Sequence, residues 1–352
     1  MKTFNQLILV LILLSGCGQN SVNHTKPSSV KVAYDTAGLT NNFYDNTETY
    51  PLKEPEITID GEIANPGKAD LSSLPVHSVF VKETLLDSTG ADKFVGAYRY
   101  DGYSLCDILD RTIIKKANAG EFNPVIDLYI EIRNDRGDKV VFSWGEIYYP
   151  NNLHRILIAR SVSRIVPSRT KDLWPIPAGP KIVAGTDLIT ERNIPDPVRI
   201  TVRSFPRSIT VKRGMSPMFS KEFSLFDGDK QLGIIAPDMG KETISYNTVF
   251  YGRGRGIHST SPFTGILLKD VIQIYYPANR QNLKTGLIGL VGLDGYRCAL
   301  SYSEIFNRND QQEFLLIRTK QDEDGGLFRV FAASDFFSDR AVKSLTGIYL
   351  LN

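Results

Sequence analysis

Cysteine is scarce. The 352 residues contain three, Cys17, Cys106 and Cys298, too few for a disulfide-built scaffold. Histidine is nearly as rare, and His24, His77, His154 and His258 are scattered, a distribution that does not point to a histidine-built metal site. Neither sign of charge dominates: 41 Lys and Arg against 39 Asp and Glu leave +2. That balance argues against nucleic acid as a partner, since coating it needs a basic face. The uninterrupted apolar run Leu7 to Leu14 falls well short of the roughly 20 residues that span a bilayer. What the chain does have is a composition 42% hydrophobic and 23% charged, that of a folded globular protein. At roughly 150 residues per domain, its length suggests two domains.

The N-terminus gives an address. Lys2 supplies a small positive region and Leu7 to Leu14 an apolar core of signal-peptide length. The run ends in Leu14-Ser15-Gly16-Cys17, which resembles the lipobox of bacterial lipoproteins. The resemblance implies that residues 1–16 are removed as a signal peptide and that Cys17 carries the lipid at the new N-terminus. Removing Lys2 lowers the net charge from +2 to +1. With Gly18 rather than Asp after the cysteine, the lipoprotein resemblance favours the outer membrane in a diderm cell, facing the periplasm or exterior. Residues 17–52 then comprise the lipidated cysteine and a polar tether without apolar periodicity. The acyl chains supply the membrane affinity.

Beyond the tether the chain repeats itself in three ordered blocks. Gly102 to Leu109 lies over Gly265 to Ile272 at an offset of 163. Leu105, Ile108 and Leu109 share one face of a short helix, as do Leu268, Val271 and Ile272. At an offset of 158, Arg136-Gly137 lies over Asp294-Gly295, and Ser143-Trp144-Gly145-Glu146-Ile147 over Ser301-Tyr302-Ser303-Glu304-Ile305. Each glycine suits a tight hairpin turn, and each Ser with Glu three residues later resembles a capping box. Asp187 and Arg192 lie over Asp335 and Arg340 at an offset of 148, in a register that continues to Ile200 over Ile348. This places a first domain at residues 53–203, a linker at 204–220 and a second domain at 221–352. Alternating strand runs between short helices read as α+β, with mixed or antiparallel sheets.

The richest local chemistry is Gly252-Arg253-Gly254-Arg255-Gly256 with His258. Glycines let backbone N–H groups approach an anion, and two guanidiniums can clamp an oxyanion; without Gly-Lys-Ser/Thr it is not a P-loop. Arg253, Arg255 and His258 are therefore candidate residues of an anion groove. Arg155, Arg160, Arg164, Arg169 and Lys171 form a basic run that reads mainly as a solvated face. Trp174-Pro175-Ile176-Pro177 reads either as an exposed ridge or as packing on the domain beneath. Asp322, Glu323 and Asp324 lack the ligand alternation of an EF-hand and read as an acidic turn. His77 and His154, in strand-like runs, read as structural histidines. No catalytic residue is assigned, because the three hydroxyl residues after His258 do not make a triad by adjacency.

The order of phrases resembles the molybdopterin-binding domain of the sulfite oxidase family. It opens on Ile59-Asp60-Gly61-Glu62-Ile63-Ala64-Asn65-Pro66 and continues through Phe263 to Ile272, Asp294-Gly295-Tyr296 to Glu304, and Asp335 to Ile348. The resemblance implies a tandem duplication of that fold over residues 55–352. Its catalytic members bind molybdenum through a cysteine thiolate, a soft ligand. Here Phe250 stands at that place in the second copy, and the matching stretch of the first copy, residues 76–95, has no cysteine. Residues 1–16 also lack the arginine pair that exports folded cofactor enzymes. The expected function is thus a non-catalytic, membrane-anchored binding or scaffold module, without cofactor, for an envelope protein or small anionic ligand. The alternative is a molybdopterin-dependent oxidoreductase with an atypical metal site.

The address is directly testable. Cys17→Ser should abolish acylation and membrane fractionation, as mass spectrometry of the processed N-terminus would show. A processed, membrane-bound variant with unchanged acyl mass would contradict the lipoprotein reading.

Overall fold

Short strands frame the folded chain, alternating at period two in residues 79–83 and 95–101. The computed structural model describes residues 48–167, 169–236, 240–319 and 326–351. Residues 1–47, with Cys17, His24 and most of the tether, and the acidic turn Asp322, Glu323 and Asp324 lie outside them. The described residues fall within one compact unit, Asn42–Asn352, and none of their helices is long and apolar enough to cross a membrane.

The first half contributes β1 (Thr49–Pro51), β2 (Thr58–Gly61), β3 (Gly67–Lys68), β4 (His77–Leu86), β5 (Asp92–Ser104) and β6 (Leu128–Asn134). It continues with β7 (Lys139–Ser143), β8 (Ile156–Arg164), β9 (Lys181–Ala184) and β10 (Pro197–Ser204), with helices α1 (Leu105–Leu109) and α2 (Trp144–Tyr148) between strands. In the second half come β11 (Phe223–Asp227), β12 (Lys230–Ile235), β13 (Ile244–Tyr246), β14 (Phe250–Gly252), β15 (Gly256–Ser259) and β16 (Phe263–Leu267). The remaining elements are α3 (Leu268–Ile272), α4 (Arg280–Thr285), β17 (Leu287–Gly292), β18 (Arg297–Ser301), α5 (Tyr302–Phe306), β19 (Phe314–Arg318), β20 (Phe328–Ala332) and β21 (Leu345–Leu351).

One sheet of the first half has the order β3-β2-β10-β6-β7, and one of the second half β12-β11-β21-β17-β18. In both, the first long strand pairs in parallel with the last: Thr58–Gly61 beside Arg199–Val202, and Ser224–Asp227 beside Gly347–Leu350. A second sheet in each half runs β4-β5-β8, with β9 on β8 and β1 at the edge, or β13-β16-β19-β20. The ribbon β14-β15 is separate. The end of the expected tether is thus in register: Thr49, Tyr50 and Pro51 pair with β8.

The α+β class expected from the sequence is corrected. The chain is mostly β, 43% strand against 11% helix, and its four small sheets are arranged as a four-bladed β-propeller rather than a duplicated sulfite-oxidase-like α+β fold. The misreading has a physical cause. The i, i+3, i+4 spacings and capping boxes do make helices, but each is only five or six residues long. A helix of one to two turns caps a strand end and cannot form a layer.

Local signals nonetheless act where they stand. Gly137 and Gly295 turn the β6–β7 and β17–β18 connections at φ +89° and +81°. Ser143 with Glu146 and Ser301 with Glu304 both close full capping boxes. Asp187 takes Arg192 in a two-point pair at 2.6 and 2.8 Å, and Asp335 takes Arg340 at 2.6 and 2.7 Å. Each buried guanidinium also reaches the capping-box glutamate of its own half, Arg192 to Glu146 at 3.0 Å and Arg340 to Glu304 at 2.6 Å.

These clusters bind the halves to each other. Arg192 donates to Ser301 Oγ across the interface at 3.1 Å. Arg340 lies over Gly145, where an added Cβ would come within 2.5 Å of its side chain. The loop bearing Asp187 bridges to Arg308, and Leu188 N donates to Asn307 O. Reciprocally, the loop bearing Asp335 bridges to Pro150, and Phe336 N donates to Tyr149 O. Phe205, within the expected linker, adds an apolar contact with Val141, Leu287 and Ala299.

Four carboxylates thus share two guanidiniums out of reach of water, so the cluster favours holding a proton. Burial pushes Glu146 up to about 7, against the pull of Arg192 and with the neighbouring Glu304 charge adding to it. Burial also raises Asp187 and Asp335, again opposed by their arginines. Burial disfavours the charge on Arg192, but Asp187 and Glu146 outweigh it and hold its pKa above the ordinary value.

Two outcomes follow. A folded pKa above the unfolded one gives stability that is complete below the unfolded value and lost as pH rises through the folded value. The Glu146 contribution should therefore fall between the ordinary glutamate value of 4.5 and about 7. Denaturant titrations across that window should show a flatter slope in Glu146→Gln; an unchanged slope would assign the pH dependence elsewhere. Gly145→Ala should cost about 1–3 kcal/mol as overpacking against a fixed guanidinium, and equal stability in the same titrations would show that Arg340 yields freely.

Candidate functional site

A cavity of about 210 Å³ opens beside the two Asp–Arg–Glu clusters, which act as clasps between the halves. Its first-half wall comes from Leu105 and Cys106 on α1, Glu146 and Ile147 on α2, the loop 150–156, and Thr186. Arg308, Asp310, Gln312 and Ser334 of the second half close it. The walls are the segments that exchange backbone bonds between halves, which fixes their spacing.

Charge in the cavity is unevenly neutralised. Arg308 is locked to Asp310 at 2.6 and 2.9 Å, and the Glu146 carboxylate is engaged by Arg192. Arg155 differs. Its Nη2 donates to Gly185 O at 3.1 Å, its Nε is sealed from water without a hydrogen-bond partner, and no carboxylate pairs with it among the described residues. A half-buried guanidinium on the cavity wall that no carboxylate neutralises favours an incoming acceptor.

Beside this wall the fold brings together two histidines that the sequence keeps apart. His77 opens β4, Asp107 sits in the first turn of α1, and His154 lies in the loop before β8 with φ +60°. His77 Nε2 is 2.7 Å from Asp107 Oδ2, and His154 Nδ1 is 3.5 Å from the same oxygen. The imidazoles stack at 4.0 Å with 4° between planes. Ser104, which N-caps α1, places Oγ 2.7 Å from Asp107 Oδ2 and 2.9 Å from His154 Nδ1. Burial lowers the His154 pKa, His77 adds to this, and Asp107 opposes it. All three ligand-type atoms lie within 4.8 Å of one another, so these residues could hold a metal ion.

The groove residues expected from the sequence are placed elsewhere. Arg253 and Arg255 occupy the exposed turn between β14 and β15, and His258 is exposed on β15. Arg253 meets Asp339 at 3.3 Å, and none of the three lines the cavity. Phe250 packs against Phe263 and Phe331. Neither described cysteine supplies the thiolate that molybdenum takes in the sulfite oxidase family. Burial, with Asp107 and Asp110, pushes Cys106 up to about 11, and burial raises Cys298 further into the thiol form. These residues do not fit a molybdenum–pterin ligand set.

The basic run disperses. Arg160 donates to Tyr103, Arg164 to Trp174 O and Tyr50, and Arg169 and Lys171 are exposed, leaving Arg155 in the cavity. Trp174 packs with Ile176 against the core face of β4, β5 and β8 and donates to Ile165 O at 3.0 Å. Sequence reasoning missed the His77–Asp107–His154 group. The available signal was Asp107, three residues after a capping serine, but nothing local marks which distant rings converge on it. The chain matches no known family model and no curated protein.

Proposed function

We propose that this is a cell-envelope lipoprotein, tethered through Cys17, whose folded part binds a small anionic ligand in the cavity between its halves. The observation that carries the reading is Arg155: a guanidinium on the cavity wall with no carboxylate partner among the described residues. The amides of Asn152 and Gln312 line the same space and can complete the recognition of an oxyanion. A volume of about 210 Å³ lies below the roughly 300–1,000 Å³ of drug-sized sites. That favours an inorganic oxyanion or a short carboxylate. The lipid on Cys17 holds the module at the membrane, and the reading assigns no catalytic step.

Thermal denaturation with inorganic phosphate, sulfate or succinate tests this. A ligand at about 100 times its Kd stabilises by about 2.7 kcal/mol, so at least one anion should raise Tm, and Arg155→Ala should remove the rise. An Arg253→Ala, Arg255→Ala double variant should retain it. Loss of the rise in the hairpin variant but not in Arg155→Ala would move the site to β14–β15 and overturn the cavity reading. No shift with any of the three anions would also contradict it.

A further inference from the structure

We infer that His77, Asp107 and His154 form a binding site for a borderline divalent transition metal, of the zinc, copper or cobalt class. The inference rests on its own donor set and does not depend on the anion reading.

The donors arrive from three separate elements and meet at one carboxylate oxygen. In a tetrahedral zinc site, metal–ligand bonds of about 2.0–2.1 Å place neighbouring donor atoms about 3.3 Å apart. The observed separations from Asp107 Oδ2, 2.7 Å to His77 Nε2 and 3.5 Å to His154 Nδ1, bracket that edge. Two imidazoles and one carboxylate suit zinc, copper, nickel or cobalt, whereas calcium and magnesium prefer all-oxygen shells.

Three features favour a ligand-binding role over a packing role. The side chains of His77, Asp107 and His154 are 26%, 20% and 35% exposed, so the site is held by protein yet open to an entering ion. His154 keeps a left-handed backbone, φ +60°, a strained conformation for a non-glycine residue that concentrates at functional sites. Ser104, fully buried, hydrogen-bonds Asp107 Oδ2 and His154 Nδ1 together, so it holds the two donor atoms side by side until an entering ion takes the place of its hydroxyl. Three protein ligands leave a fourth position free, and His154 is also part of the cavity wall.

Parallel rings direct their lone pairs along parallel planes, so convergence on one ion requires the imidazoles to rotate out of their stack. The proposal therefore carries a spectroscopic consequence as well as an affinity. The full-length protein should bind one Zn²⁺ by calorimetry, and Co²⁺ should give the visible absorption of a four-coordinate nitrogen and oxygen site. His77→Ala, Asp107→Asn and His154→Ala should each weaken Zn²⁺ by about tenfold or more, the scale set by outer-shell losses alone, while His258→Ala should not. Histidine NMR resonances of the parent should shift on zinc addition only for His77 and His154, a readout that does not rely on any variant folding. Absence of zinc binding, or binding that survives in the His77→Ala, His154→Ala double variant, would overturn the assignment, as would resonance shifts confined to other histidines.

Discussion

The fold depends on two buried arginines. Arg192 and Arg340 each tie a loop aspartate, five residues earlier, to the capping-box glutamate of a one-turn helix. A guanidinium at 0–1% exposure is tolerable only when its donors are all engaged, because breaking a buried pair by removing one partner costs about 3–5 kcal/mol. Here the engagement extends across the molecule. Arg192 reaches Ser301, Arg340 rests on Gly145, and the two aspartate loops lie on each other's helix ends. The charge cluster therefore fixes the relation between the halves.

That fixed relation makes the cavity. Pro150, Asn151, Thr186, Arg308 and Ser334 line it, and these residues lie within or beside the bridges of the two clasps. A small ligand would meet walls already set, which lowers the ordering cost of binding. The metal-type donors share this economy, since Ser104 holds Asp107 by the same N-cap that starts α1.

Sequence spacing revealed these features unevenly. The turns at Gly137 and Gly295, the capping boxes at Ser143 and Ser301, and the Asp–Arg pairs were legible because each is completed within about five residues. Fold class was not legible. Leu105, Ile108 and Leu109 mark a helical face correctly, but the spacing does not reveal that the helix stops after five residues and that sheets dominate. The site was still less legible, because His77 and His154 meet only through the pairing of β4 with β5 and of β5 with β8. Arg155 was one of several basic residues in a run, and its lack of a carboxylate partner is a property of the fold alone.

If the two clasps form one coupled unit, their energies are not additive. A double-mutant cycle on Glu146→Gln and Glu304→Gln, read by equilibrium unfolding at neutral pH, measures this. Residues in one charge network show interaction energies of about 0.5–3 kcal/mol, whereas independent sites add to within about 0.3–0.5 kcal/mol. A coupling in the first range is expected, each substitution costing more in the background of the other than alone, because the relief of carboxylate repulsion is gained only once. Strict additivity would contradict it and reduce the clasps to two separate ion pairs.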